Sequence, residues 1–133
     1  MSADAITLSI PRSSEFHGVA RLVVGGLAAR LDLSYEQLED LQLALASILE
    51  RDGYAVGPDV TVRLVVGSDS LEIAIGPLDA AEIHQDLEHE PEGGVSLRRL
   101  LETLVQEISL EESDGSHWLR LEKRVRIKKP GER

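Results

Sequence analysis

The period of the apolar residues changes along the chain, and each change restricts what the backbone there can become. Over residues 5–10 every second position is apolar (Ile6, Leu8, Ile10). That period of two predicts a half-buried strand, closed by Pro11. Ser13 and Ser14 then offer N-cap oxygens to a helix whose apolar positions (Phe16, Val19, Ala20, Val23, Val24, Leu27, Leu31) follow the i, i+3, i+4 rhythm. Gly25-Gly26 is unfavourable inside a helix by about 1 kcal/mol per glycine, so close packing against a neighbour is expected there. Ser34 and Gln37 fit a capping box that opens a second helix, with Leu38, Leu41, Ala44, Leu45, Ile48 and Leu49 on one face and an end near Asp52-Gly53.

Alternation returns in residues 59–66 (Val60, Val62, Leu64, Val66) and 70–75 (Leu71, Ile73, Ile75). The short Gly67-Ser68-Asp69 turn between them makes the pair an antiparallel hairpin. From Pro77 to Gly94 charge replaces periodicity. A third helix follows, with Val95, Leu97, Leu100, Leu101, Leu104, Val105 and Ile108 as its buried stripe; residues 111–115 read as a polar turn. A last strand runs over 118–127 (Leu119, Leu121, Val125, Ile127), with a phase change near Glu122–Arg124 that suggests a bulge. The order β-α-α-β-β-loop-α-β predicts an α+β two-layer sandwich: a four-stranded mixed or antiparallel sheet with three main helices on one face.

The 133 residues suit one domain, assigned here to 1–133. Aromatic side chains are only 3%, so the core is aliphatic. Acidic residues outnumber basic ones 24 to 14, a net −10 that argues against nucleic acid as a partner, because phosphate binding needs clustered positive charge. The basic tail at 128–133 is the exception: residues 120–133 carry a net +5. Its plain reading is a solvated chain end, and its sharper one an electrostatic docking element for an acidic partner. No cysteine is present, no basic-then-apolar leader opens the chain and no apolar run has the length of a membrane span. A cytoplasmic protein without membrane contact is the expectation. No Gly-x-Ser-x-Gly, P-loop or dinucleotide motif occurs.

Several segments together carry a resemblance. Ile10-Pro11-Arg12 precedes a helix with a central Arg21; Leu41-Gln42-Leu43-Ala44-Leu45-Ala46 lies in the second helix; Glu92-Gly93-Gly94-Val95-Ser96-Leu97 leads into the last helix; and Asp114-Gly115-Ser116 precedes the last strand. With this layout the chain resembles, over nearly its whole length, the anti-sigma factor and serine-protein kinase branch of the histidine-kinase-like ATPases. The resemblance implies a bacterial regulator of transcription and stress response that dimerises and captures a sigma factor or an anti-anti-sigma factor. It also implies ATP with Mg²⁺ as cofactor, with a Glu of the second helix as carboxylate base and, four residues on, an Asn that holds the magnesium.

Those two positions fall at Ser47 and Arg51. A serine is no carboxylate base, and an arginine repels the cation that an Asn carbonyl would hold. The family's adenine-binding Asp falls at Pro77. A two-residue slip offers Asp79, although that residue also suits the N-cap of a short helix from Ala80. The phosphate-side glycine motif is half kept, with Gly94 matching and Ser96 where a second glycine is expected; the backbone amides of Gly93, Gly94 and Val95 can form an anion nest at the helix start. Residues 79–93 match the family's lid, here with Asp79, Glu82, Asp86, Glu88, Glu90 and Glu92 and no Lys or Arg. Six carboxylates beside a triphosphate oppose binding.

No catalytic residue and no cofactor are therefore expected. If nucleotide binding persists, Asp79, Gly93, Gly94 and Ser116 would carry it. His84 and His89 stand among lid carboxylates, but their spacing without cysteine matches no structural zinc pattern, and no metal site is expected. The expected function is protein capture by an anti-sigma-like regulator that has lost ATP binding and kinase activity. The alternative is a divergent serine-protein kinase that still binds ATP.

Overall fold

A computed structural model describes residues 4–125. Strand β1 (Asp4–Pro11) leads through a 3-10 turn at Ser14–Phe16 into α1 (His17–Arg30) and α2 (Tyr35–Leu49). A second 3-10 turn (Asp52–Tyr54) precedes the hairpin of β2 (Asp59–Val66) and β3 (Ser70–Leu78). Then come α3 (Ala80–Glu88), α4 (Leu97–Leu104), β4 (Glu107–Ser113) and β5 (Ser116–Arg124). The strands form one antiparallel sheet in the order β1-β2-β3-β5-β4. The α+β two-layer architecture is as expected, with five strands instead of four and four helices instead of three among the described residues.

The additional strand corrects the reading of residues 105–115. The third predicted helix ends at Leu104, and Ile108 belongs to β4, where Ile108 and Leu110 are half-buried between Glu107, Ser109 and Glu111. The expected polar turn shrinks to Asp114-Gly115, both at positive φ (52° and 78°). That is the backbone a two-residue hairpin demands, and Asp-Gly is the pair that supplies it. Val95, assigned to the buried stripe, is 72% exposed, because α4 starts two residues later with Ser96 as its N-cap. The acidic segment at 79–93 is not wholly a loop: α3 occupies its first part.

Three local expectations also change. Ser13 and Ser14 do not cap α1, since the 3-10 turn intervenes and Phe16 takes the N-cap position without a side-chain bond. Of the two helix glycines, a Cβ on Gly25 would meet the Gln42 amide at 3.7 Å, whereas Gly26 has open space. The strand irregularity lies between Ile75 and Leu78, beside the cis Gly76–Pro77 peptide, and not at 122–124. Through 122–124 the alternation is unbroken, with Lys123 occupying an inward position between Leu121 and Val125. Ile127 and the basic tail at 128–133 lie outside the described residues.

The core sits between sheet and helices. Leu41, Leu45 and Ile48 of α2 and Leu101 of α4 meet Leu64, Ile73, Ile75, Leu119 and Leu121 of the sheet, all but fully buried. The sheet's other face carries the in-between residues, among them Arg120, which ion-pairs with Glu72, with Glu122 at 3.2 Å and with Glu107 at 4.0 Å. At the start of α2 the capping box is complete. Ser34 Oγ accepts from the Gln37 amide at 3.1 Å, and Gln37 Oε1 accepts from the Ser34 amide at 3.1 Å. Ser34→Ala is expected to cost about 1 kcal/mol, read as a lower urea midpoint at unchanged slope.

Candidate functional site

Helix α2 places a mixed polar and apolar stripe opposite its buried one. Glu39, Leu43, Ala46, Ser47 and the C-cap Glu50 turn away from the sheet and wall an open groove of about 840 Å³, flanked by Arg21 of α1 and Leu100 of α4. Gln42 ties the first wall, donating from Nε2 to the Arg21 carbonyl at 3.1 Å. The charge within is mixed: Arg21 and Arg51 face Glu39, Asp40 and Glu50. Asp40 is engaged by Lys123, whose ammonium donates to its Oδ2 at 3.1 Å and to the Leu104 carbonyl at 2.7 Å.

Two predicted positions, Ser47 and Arg51, do line this groove. Neither is set up for metal or base chemistry. The Ser47 hydroxyl donates to the Ala44 carbonyl of its own helix at 2.7 Å. Arg51 ion-pairs with Asp86 of α3 at 3.7 Å. Asp86 also accepts a hydrogen bond from the hydroxyl of Tyr54, whose side chain is buried. Burial first, and then the bond to Asp86, raises the Tyr54 phenol well above its ordinary value, which keeps the hydroxyl a donor.

The remaining candidates lie apart from the groove. Asp79 is the N-cap of α3, as its alternative reading held: Oδ1 accepts from the Glu82 amide at 3.1 Å. Gly93 takes a positive φ of 71° in the turn before α4, and Gly94 lines a separate cleft of about 60 Å³ with Glu90, Ser96 and Arg99. Ser116 pairs with Ser113 across the β4–β5 turn. His84 and His89 are exposed, and among the described residues no His, Cys, Asp and Glu gather in a metal-holding group. As a set, these residues do not fit a magnesium nucleotide. The two positions facing the groove offer a self-bonded hydroxyl and a cation, and the carboxylate expected to read the base is spent on a helix cap.

Tyr54, Asp40 and Lys123 were not singled out by sequence reasoning as site residues, and Asp86 was named only as one of the lid carboxylates. For Lys123 a signal existed: an ionisable residue in phase with a buried strand pattern needs a partner.

The layer order, the sheet and the groove between α1, α2 and α4 define a domain of the histidine-kinase-like ATPase class. A crystal structure of the RsbU and RsbW domains of a Mycobacterium tuberculosis protein superimposes with a TM-score of 0.65 at 15% identity, over 92% of this chain and 32% of that longer one. Among curated proteins, the serine-protein kinase RsbW of Halalkalibacterium halodurans is 30% identical over 84% of this chain and 78% of its own length. RsbW of Listeria monocytogenes is 30% identical over 84% and 82%, and that of Bacillus subtilis 29% over 86% and 82%. No family model matches the chain. The chain belongs to the RsbW family, the anti-sigma and serine-protein kinase branch that its motifs resemble. No described helix is long and apolar enough to cross a membrane.

Proposed function

We propose that this member of the anti-sigma family works by capturing a protein, a sigma factor or an anti-anti-sigma factor, in the cytoplasm, as a homodimer and without ATP or phosphoryl transfer. The observation that carries the reading is Arg51. It stands where a metal-holding amide is expected, brings a positive charge instead, and is ion-paired to Asp86 at 3.7 Å. With Ser47 bonded to its own helix and Arg51 a cation, neither of the two positions at which the family carries its base and its magnesium ligand supplies one. Capture of a protein surface needs neither.

The second reading, a kinase that still binds ATP, draws on the names of the relatives and on the glycine turn before α4, a kind of turn whose amides can hold a phosphate. The two part cleanly in a melting experiment. A ligand at 100 times its dissociation constant stabilises by about 2.7 kcal/mol. The expected result is an unchanged melting temperature with Mg²⁺ and millimolar ATP or ADP; a rise of several degrees would restore the kinase reading.

A further inference from the structure

Helix α3 occupies the segment that corresponds to a nucleotide lid in the family, and it is tied into the chain along its length. Ile83 and Leu87 enter the core, and the helix packs against α4 and the 52–54 turn. Its N-terminus is fastened by the Asp79 amide donating to the Tyr54 carbonyl at 2.9 Å. Arg98 of α4 donates from Nε to the Leu87 carbonyl at 3.2 Å, which fixes the other end. On the side toward α2, Asp86 receives both the Tyr54 hydroxyl and the Arg51 guanidinium.

We propose that Arg51, Asp86 and Tyr54 form a latch that keeps α3 docked against the end of α2 with no ligand present, so that a segment in the place of a closing lid is a fixed wall. The inference deepens the reading above and rests on it only for the claim that no nucleotide moves α3. The chemistry of the three groups suits the task. A carboxylate accepting from a buried hydroxyl makes one of the stronger side-chain bonds, because its acceptor is charged and its donor has left water. The ion pair to Arg51 is weaker, with half of that side chain in solvent, and it aims the carboxylate. Arg51 thus has two consequences: a cation at the expected magnesium position, and a tether on the helix beside it. A lid that opens and closes on a ligand draws on a low-stability segment; here two buried apolar side chains and four polar ties oppose opening.

Hydrogen exchange of the full chain, read by mass spectrometry without ligand, tests the latch. In the wild type the amides of residues 84–88 are expected to be protected. Asp86→Ala is expected to speed their exchange about tenfold, since both partners lose their acceptor. Alanine is the better helix former, so helix propensity pushes the other way and cannot produce that result. Tyr54→Phe keeps the buried ring and is expected to act in the same direction, whereas Arg51→Gln should change exchange about twofold. Amides of β3 exchange through global unfolding, which the loss of a native tie also favours, so they are expected to speed by no more than the factor seen at 84–88. If Asp86→Ala accelerates β3 by a larger factor than 84–88, the decision passes to Tyr54→Phe and Arg51→Gln, whose altered groups leave the apolar core whole. Unprotected wild-type amides at 84–88, or equal rates in wild type and Tyr54→Phe, would overturn the latch. Slower α3 exchange with magnesium ATP would count against the nucleotide-free reading alone, because the latch is scored on ligand-free protein.

Discussion

Lys123→Ala is expected to lower the unfolding free energy by about 3 kcal/mol, a fall of roughly 10 °C in melting temperature for a domain of this size. The residue is only 7% exposed, and its ammonium bridges Asp40 of α2 and the last-turn Leu104 carbonyl of α4. Carbonyls in the last turn of a helix have no partner within it, and a cation there also opposes the negative end of the helix dipole. Removing the lysine strands a carbonyl and a mostly covered carboxylate, and that loss exceeds the worth of the pair itself. The 29% exposure of the Asp40 side chain lets water recover part of it, so the expected cost is at the low end for a broken buried pair. Lys123→Met separates packing from charge: it retains the apolar stem and should recover about 1 kcal/mol. Adding Asp40→Asn to Lys123→Met should recover more, since the stranded charge is then gone. If the double variant is no more stable than Lys123→Met, Asp40 is not the group the lysine serves.

The same residue marks where sequence reading stops. Leu119, Leu121, Lys123 and Val125 keep one period of two, but a lysine in the inward register looks like a phase slip until its partners, 83 residues upstream on α2 and 19 on α4, are known. The β1 and β2–β3 alternation, the α2 capping box and the N-cap at Asp79 were legible because each depends on residues within a few positions. Strand β4 was missed although Asp114-Gly115 is a strong local hairpin signal. Leu104, Val105 and Ile108 also satisfy a helical spacing, and a short apolar run does not separate the two periods by itself. For the groove, Ser47 and Arg51 follow from their place on α2. The contact of Arg51 and Tyr54 with Asp86 spans more than thirty residues and depends on how α3 docks, which no spacing encodes.

Gly76 and Trp118 supply a test on the opposite face of the sheet. Gly76 of β3 is buried, and a Cβ there would stand 2.5 Å from Cδ2 and 2.8 Å from Cε3 of the indole carried by neighbouring β5. The ring covers the glycine, an arrangement in which an aromatic side chain on the next strand shields backbone that has no side chain of its own. Gly76→Ala is therefore expected to expel the ring from its seat at a cost of about 2 kcal/mol, despite adding one methyl group. Trp118 is the sole tryptophan of the chain, so its fluorescence reports the move directly, shifting to longer wavelength as the indole enters water. Trp118→Ala should cost a comparable amount through lost contact. Combined, the two changes should cost less than their sum by more than 1 kcal/mol, because with the ring gone the new methyl group meets nothing. Strict additivity would mean that the indole does not rest on Gly76 in solution.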